Sequence, residues 1–159
     1  MKKLITILAW FCIATSVFAS EVKLEEVKVD SSVPAVERGV EAVMNNCHSC
    51  HGMKYIQYRD LLNFGIDKQK VDAWRGEQSL DAAMFAQMSE SDAMQAYGKA
   101  PPDLSLMTKA RNGGADYVYS YLIGYYVTPE GVSGNHIFPD TKMPDILGMS
   151  GATEEAHRT

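Results

Sequence analysis

The strongest constraint on this 159-residue chain is a run of five residues, Cys47-His48-Ser49-Cys50-His51. Cys-x-x-Cys-His is the attachment signature of a c-type haem, and its spacing has a physical reason. Two thiols one helical turn apart can each add to one of the two vinyl groups along a single porphyrin edge, and the next residue then presents its imidazole to the iron. Cys47 and Cys50 are accordingly read as the covalent anchors of one haem c, and His51 as the proximal iron ligand. Three other readings use the same residues less well. A redox dithiol usually follows the strand of a βαβ unit, a pattern not seen here. A zinc site drawn from Cys47, Cys50, His51 and His136 lacks the usual second Cys or His pair. A disulfide between residues three apart would close a small, strained ring.

Haem attachment of this kind belongs to exported chains, and the N-terminus reads independently as an export signal. Lys2 and Lys3 precede an apolar run from Leu4 to Phe18, and Val17-Phe18-Ala19 offers small residues at the positions a signal peptidase inspects. Residues 1–19 are therefore expected to be a signal peptide and residues 20–159 the haem domain. Thr6, Thr15 and Ser16 interrupt the run, which is short for a membrane span. Cys12 lies inside it behind the bulky Phe11, which argues against a lipoprotein anchor. Removing this segment takes away one of the three cysteines and leaves only the pair in the haem motif.

Charge narrows the partners. The full chain carries a net charge of −5; residues 1–19 hold two of its fifteen basic residues and none of its twenty acidic ones, so residues 20–159 carry −7. Such a chain is unsuited to nucleic acid. It suits a positively charged protein partner met and released quickly, although moderate acidity also simply keeps an exported protein soluble.

Periodicity predicts an all-α architecture, mostly helical with long loops. Ser20 to Val33 is extended in character, and Pro34 opens a helix in which Val36, Val40, Val43 and Met44 recur at helical spacing up to the motif. Ser79 reads as the N-cap of a helix containing Leu80, Ala83, Met84, Phe85 and Met88, and Tyr97-Gly98 as the stop of a short helix after it. Pro101-Pro102 forbids continuation. Further helices are expected from Leu104 towards Arg111, halted at Gly113-Gly114, and from Asp116 to about Tyr125. In the last, Tyr117, Tyr121 and Tyr125 form one stripe, a pattern that usually means core. Thr128 to Pro144, rich in Gly, Pro and Ser, is expected to lack regular structure.

Near the end of that loop stands Thr141-Lys142-Met143-Pro144. A thioether is a soft, uncharged ligand that favours ferrous iron and raises the reduction potential when it sits opposite a histidine. Met143 is therefore the preferred distal ligand. Met44 and Met53 are too near the proximal motif to cross the ring, while Met84, Met88, Met94 and Met107 fall in helical stretches as core filler. Met149 is the nearest competitor, and His136 is the other candidate distal ligand.

Two stretches resemble a known family. Cys47 to Leu62, CHSCHGMKYIQYRDLL, and Ala100 to Tyr126, APPDLSLMTKARNGGADYVYSYLIGYY, are similar to cytochrome c1, the haem subunit of the quinol:cytochrome c oxidoreductase (cytochrome bc1) complex. Asn135 to Gly148, NHIFPDTKMPDILG, resembles the short bacterial form of its distal-ligand loop. The Pro-Pro-Asp-Leu-Ser and Arg-x-Gly-Gly-x-Asp-Tyr-Val runs are far more specific than the haem motif. The resemblance implies a cytochrome c-like fold around one haem c, exposed on the periplasmic face of the bacterial inner membrane. It implies electron transfer from the Rieske iron–sulfur protein to a soluble cytochrome c or equivalent, beside cytochrome b, with no bond chemistry performed by the chain itself. It also places Arg111 near a haem propionate; spacing alone would make Arg111 a helix-end cation. Tyr58 and Arg59 match family positions assigned to packing and surface hydrogen bonding.

The family ordinarily continues with a further helix and a transmembrane anchor, and both are expected to be missing here. Thr153, Glu154 and Glu155 read as the start of such a helix, and the Val36 to Met44 face would then want another cover. Two further classes differ from the main reading. A freestanding periplasmic c-type electron carrier would also use this haem site, and a haem peroxidase would need a vacant iron position with acid/base groups beside it.

Overall fold

A computed structural model describes residues 22–149. The signal peptide expected at residues 1–19 and the helix start expected at Thr153 lie outside that range. In chain order the elements are α1 (Val33–Asn46), β1 (Met53–Gln57), α2 (Tyr58–Asn63), α3 (Lys68–Arg75), β2 (Ala83–Met84), α4 (Glu90–Tyr97), α5 (Met107–Ala110), α6 (Gly114–Ile123), β3 (Tyr125–Val127) and β4 (Ser133–Asn135). The fold is mostly helical with long connections, as its periodicity predicts. Among the described residues no helix is long and apolar enough to cross a membrane.

Helix α1 begins where Pro34 needs no amide partner, with Ser32 in extended conformation before it. Its apolar stripe does find cover inside the chain. Met44 is buried with Tyr58, Leu61, Ile66, Val71 and Met84, and Val40 and Val43 pack against that cluster. An ion pair between Lys70 and Glu41 and a hydrogen bond from the Trp74 indole to Asn45, 3.3 Å, tie α3 to α1. The first described residues are extended and run along α6. Ser120 Oγ accepts from the Glu25 amide at 2.7 Å and the Asp116 carboxylate accepts from the Val27 amide at 2.9 Å.

The helix expected over Ser79 to Met88 does not form. Ser79 instead caps a turn, accepting from Asp81 and Ala82, and the chain enters β2, antiparallel to β1 with Met53 opposite Met84. Burial there has a period of two: Met84 is 0 % exposed and Phe85 67 %. Backbone partners decide the outcome, because Leu80 and Ala82 carbonyls accept the Arg59 and Tyr58 amides, an opportunity that a helix would forgo. Met84 is thus core, but on a strand; Met88 is not helical, and Met94 is an exposed residue of α4.

The helix towards Arg111 is shortened to α5, because Leu104 and Ser105 are committed to hydrogen bonds with Gly52 and Asp103. The last helix starts earlier than expected and ends at Ile123. A Cβ at Gly124 would stand 2.7 Å from the Ser120 carbonyl oxygen, so only glycine fits that close turn out of α6. The loop after Thr128 contains a strand after all. β3 and β4 form a hairpin with Tyr125 opposite Asn135, Tyr126 opposite Gly134 and Val127 opposite Ser133. Buried Asn135 locks it, donating to the Tyr121 carbonyl and accepting the Ile137 and Phe138 amides.

Candidate functional site

The five-residue motif grows directly out of α1. Cys47 and His48 amides both donate to the Val43 carbonyl, and the Cys50 and His51 amides donate to that of Cys47, at 3.1 and 2.9 Å. Helical winding therefore persists through the motif and puts the two cysteines one turn apart on one side. Both are free, half-buried thiols. Burial, then the neighbouring Cys50, raises the Cys47 thiol above its ordinary range, the opposite of the depressed thiol of a redox dithiol.

His51 is 9 % exposed, and its Nδ1 lies 2.7 Å from the Pro102 carbonyl oxygen. A carbonyl can only accept, so Nδ1 carries the proton and Nε2 keeps its lone pair for a metal. The segment that supplies this carbonyl is laced to the chain just beyond the motif. Gly52 O accepts from Leu104 at 2.8 Å, Asp103 Oδ2 accepts from the Lys54 amide at 2.8 Å, and Ser105 Oγ accepts from the Tyr55 amide at 3.1 Å. The Pro-Pro-Asp-Leu-Ser run is thus a backing strap for His51. A second strap crosses the motif itself, where the Ser49 carbonyl accepts from Met88 at 2.9 Å.

His48, inside the motif, is 1 % exposed. Its Nδ1 faces the His51 carbonyl at 3.3 Å and its Nε2 the Tyr58 hydroxyl at 3.4 Å. Burial lowers its pKa, only partly countered by the His51 carbonyl, so the ring is neutral. Spacing gave no hint of this role, because His48 carries no signal in a motif whose middle positions are free. Tyr58, assigned to packing from the resemblance, is equally buried and receives that contact. Arg59 forms a surface ion pair with Asp81.

The remaining candidates lie at two ends of an aromatic ladder. The Arg111 guanidinium sits 5.5 Å from the Tyr117 ring centre, Tyr117 stacks on Tyr121 at 6.4 Å, and Tyr121 meets Tyr125 edge-on at 5.7 Å. Tyr125 then donates to the Met143 carbonyl at 3.0 Å. Arg111 also lines a cavity of about 390 Å³ with Lys54, Tyr55, Pro102, Leu106 and Met107. Asp103 lines the same cavity, so the Arg111 and Lys54 cations share it with a carboxylate.

Met143 is half-buried, with its amide donating to Thr141 Oγ1 at 3.2 Å. Thr141 in turn lies 2.5 Å from the Tyr121 hydroxyl. Met149 is turned onto Asp145, whose carboxylate accepts its amide. His136 is exposed and stacks on Tyr126 at 4.3 Å, off the ladder. No group of three or more His, Cys, Asp or Glu side chains among the described residues is arranged to hold a metal ion. The motif's own donors fit a haem: paired thiols on one helical turn and an imidazole with its tautomer set.

Comparison with known proteins agrees with this chemistry. The sequence matches the Cytochrome C1 family over residues 25–153. It is 33 % identical to cytochrome c1 of Allochromatium vinosum over 98 % of this chain and 66 % of that protein. It is 34 % identical to the mitochondrial cytochrome c1-2 haem protein of Solanum tuberosum over 76 % of this chain and 56 % of that one. It is also 32 % identical to the ammonia monooxygenase gamma subunit of Nitrosomonas europaea, over 80 % and 56 % respectively. The chain spans between 38 and 66 % of the length of these and the other cytochrome c1 relatives named for plants and purple bacteria.

Proposed function

The chain belongs to the cytochrome c1 family, and from that premise we propose that it carries single electrons from the Rieske iron–sulfur protein to a soluble cytochrome c within a quinol:cytochrome c oxidoreductase. The family's cofactor is haem c, attached through Cys-x-x-Cys-His, and Cys47, Cys50 and His51 are in place for it. When bound, the haem supplies a one-electron iron couple. The chain's own residues do the rest. Cys47 and Cys50 hold the porphyrin edge, and His51 presents Nε2 because Pro102 occupies Nδ1. Met143 would offer its sulfide from a loop braced by Tyr125, and Arg111 with Lys54 would set positive charge against the propionates.

The observation that carries this reading is the His51 to Pro102 contact, which gives the motif histidine the tautomer of a metal ligand. Ligation by both His51 and Met143 would leave little to rearrange on electron transfer and no open iron position, which would favour a carrier over a peroxidase. The similarity across nearly the whole chain favours the complex subunit over a freestanding carrier. We place the protein at the periplasmic face of the inner membrane beside cytochrome b. It would be held there through the complex or through an anchor beyond the residues given, after removal of the signal peptide at residues 1–19. The acidic balance of residues 20–159 suits a basic acceptor.

The test is isolation of the haem-stained membrane band with intact-mass measurement. One haem added to a chain cleaved after Ala19 is the expected result, and a colourless product with the mass of bare polypeptide would refute the assignment. In the ferric protein, the long-wavelength band of sulfur ligation should vanish in Met143→Ala and persist in Met149→Ala and His136→Ala.

A further inference from the structure

Met143 is enclosed by a closed ring of hydrogen-bonding contacts that begins and ends on its own main chain. Its amide donates to Thr141 Oγ1, 3.2 Å; Thr141 Oγ1 meets the Tyr121 hydroxyl, 2.5 Å; the Tyr125 hydroxyl donates towards that of Tyr121, 3.1 Å, and towards the Met143 carbonyl, 3.0 Å. Tyr125 has a single phenolic proton, which is shared between those two acceptors. The ring is mounted on rigid parts. Tyr121 belongs to α6, and Tyr125, only 1 % exposed, opens β3 directly after it. Asn135 fastens the other end of the same loop to the Tyr121 carbonyl at 2.8 Å, so the chain from 135 to 143 is tied at both ends to the Tyr121–Tyr125 segment.

We propose that Tyr125, with Tyr121 and Thr141, is a positioning unit that holds the Met143 sulfide in place as an axial ligand and resists its displacement. The inference rests on the reading of Met143 as the distal ligand, and goes beyond it by assigning the residues that determine how firmly the ligand is held. A methionine side chain has three rotatable bonds and a weak, uncharged donor atom. Its hold on iron therefore depends on how little freedom the supporting backbone has, since a loop already fixed in the bound geometry loses less entropy on ligation. The hydroxyl ring supplies that restriction from both sides of the Met143 peptide unit. None of its three side chains need touch the haem for this to work, so their effect is on ligand exchange rather than on haem attachment.

The experiment uses the haem-loaded ferric protein and added imidazole as a competitor for the distal position, followed by loss of the sulfur-to-iron absorption band. Tyr125→Phe deletes the shared proton and nothing else of similar size. Imidazole should then displace the sulfide at a concentration about fivefold to tenfold lower than in the parent protein, the equivalent of one net hydrogen bond. Thr141→Val opens the ring at a second point on the loop and should act in the same direction, and it decides the matter if Tyr125→Phe does not fold. Far-ultraviolet melting of the same samples separates ligand release from general unfolding, because a merely structural role would leave the imidazole titration unchanged below the melting range. An unchanged titration in folded Tyr125→Phe and Thr141→Val, with the band absent from Met143→Ala, would overturn the positioning unit while leaving the ligand assignment intact. Retention of the band in Met143→Ala would overturn both.

Discussion

His51 and Pro102, 51 positions apart in the chain, meet through a 2.7 Å contact between imidazole Nδ1 and a main-chain carbonyl. The carbonyl polarises the N–H, makes the opposite nitrogen a better donor to iron and so favours the ferric state. Replacing Pro102 by Gly frees the φ angle that fixes this carbonyl and should weaken the contact. The midpoint potential is then expected to rise with haem content unchanged, as measured by redox titration. An unaltered potential would mean that Gly52 and Leu104 hold the carbonyl without help from the proline ring.

Asp103 is the fastening of the same strap. Its carboxylate accepts from the Lys54 and Ser105 amides. Burial works to raise its pKa, but the Ser105 hydroxyl and these two amides outweigh that and hold it below the ordinary 3.8. Asp103→Ala should cost about 0.5–1.5 kcal/mol by removing the acceptor of both amides. Because the folded-state pKa is depressed, the carboxylate's contribution is complete above the unfolded value and is lost as pH falls through the folded one. Urea midpoints of parent and variant should differ clearly at neutral pH and converge as the pH drops below 3.8.

Gly52 follows His51 in a tight space between the two straps. A Cβ there would lie 3.1 Å from both the Ala86 amide nitrogen and Asp103 Oδ2. Gly52→Ala would press both straps that flank the motif by a few tenths of an ångström, with an expected cost of about 1 kcal/mol. Lower urea resistance and a reduced yield of haem-loaded protein are the expected readouts. Stability equal to the parent would show that the straps give way freely.

Tyr58→Phe tests the buried pair behind the motif. The change removes the hydroxyl facing His48 Nε2, 3.4 Å away, at a site where both residues are 1 % exposed. A buried acceptor left unpaired should lower stability by about 1–3 kcal/mol, with the helical signal preserved. Equal denaturation midpoints would show that water replaces the phenol.

Much of the chemistry was legible in residue order. The haem motif, the proline-led start of α1, the stop at Gly98 and the tyrosine stripe all lie within one to three helical turns, where spacing and geometry are the same thing. The Ser79 to Met88 segment was misread because a short apolar run fits helix and strand equally until its neighbours are known. Here the carbonyls of Leu80 and Ala82 were already wanted by the Arg59 and Tyr58 amides. The roles of His48, Asp103 and Tyr125 left no trace of their own, since each depends on a partner from a distant or differently folded stretch.

By itself, then, the order of residues determined the cofactor and nominated His51 and Met143 as its ligands, because ligand type and turn-scale spacing are written locally. Only the tertiary structure decided which nitrogen of His51 is free, which tyrosines hold the Met143 main chain and why the space at Gly52 is tight. Those outcomes depend on where a second segment's carbonyl, hydroxyl or backbone comes to rest against the first, and packing, not spacing along the chain, fixes that position.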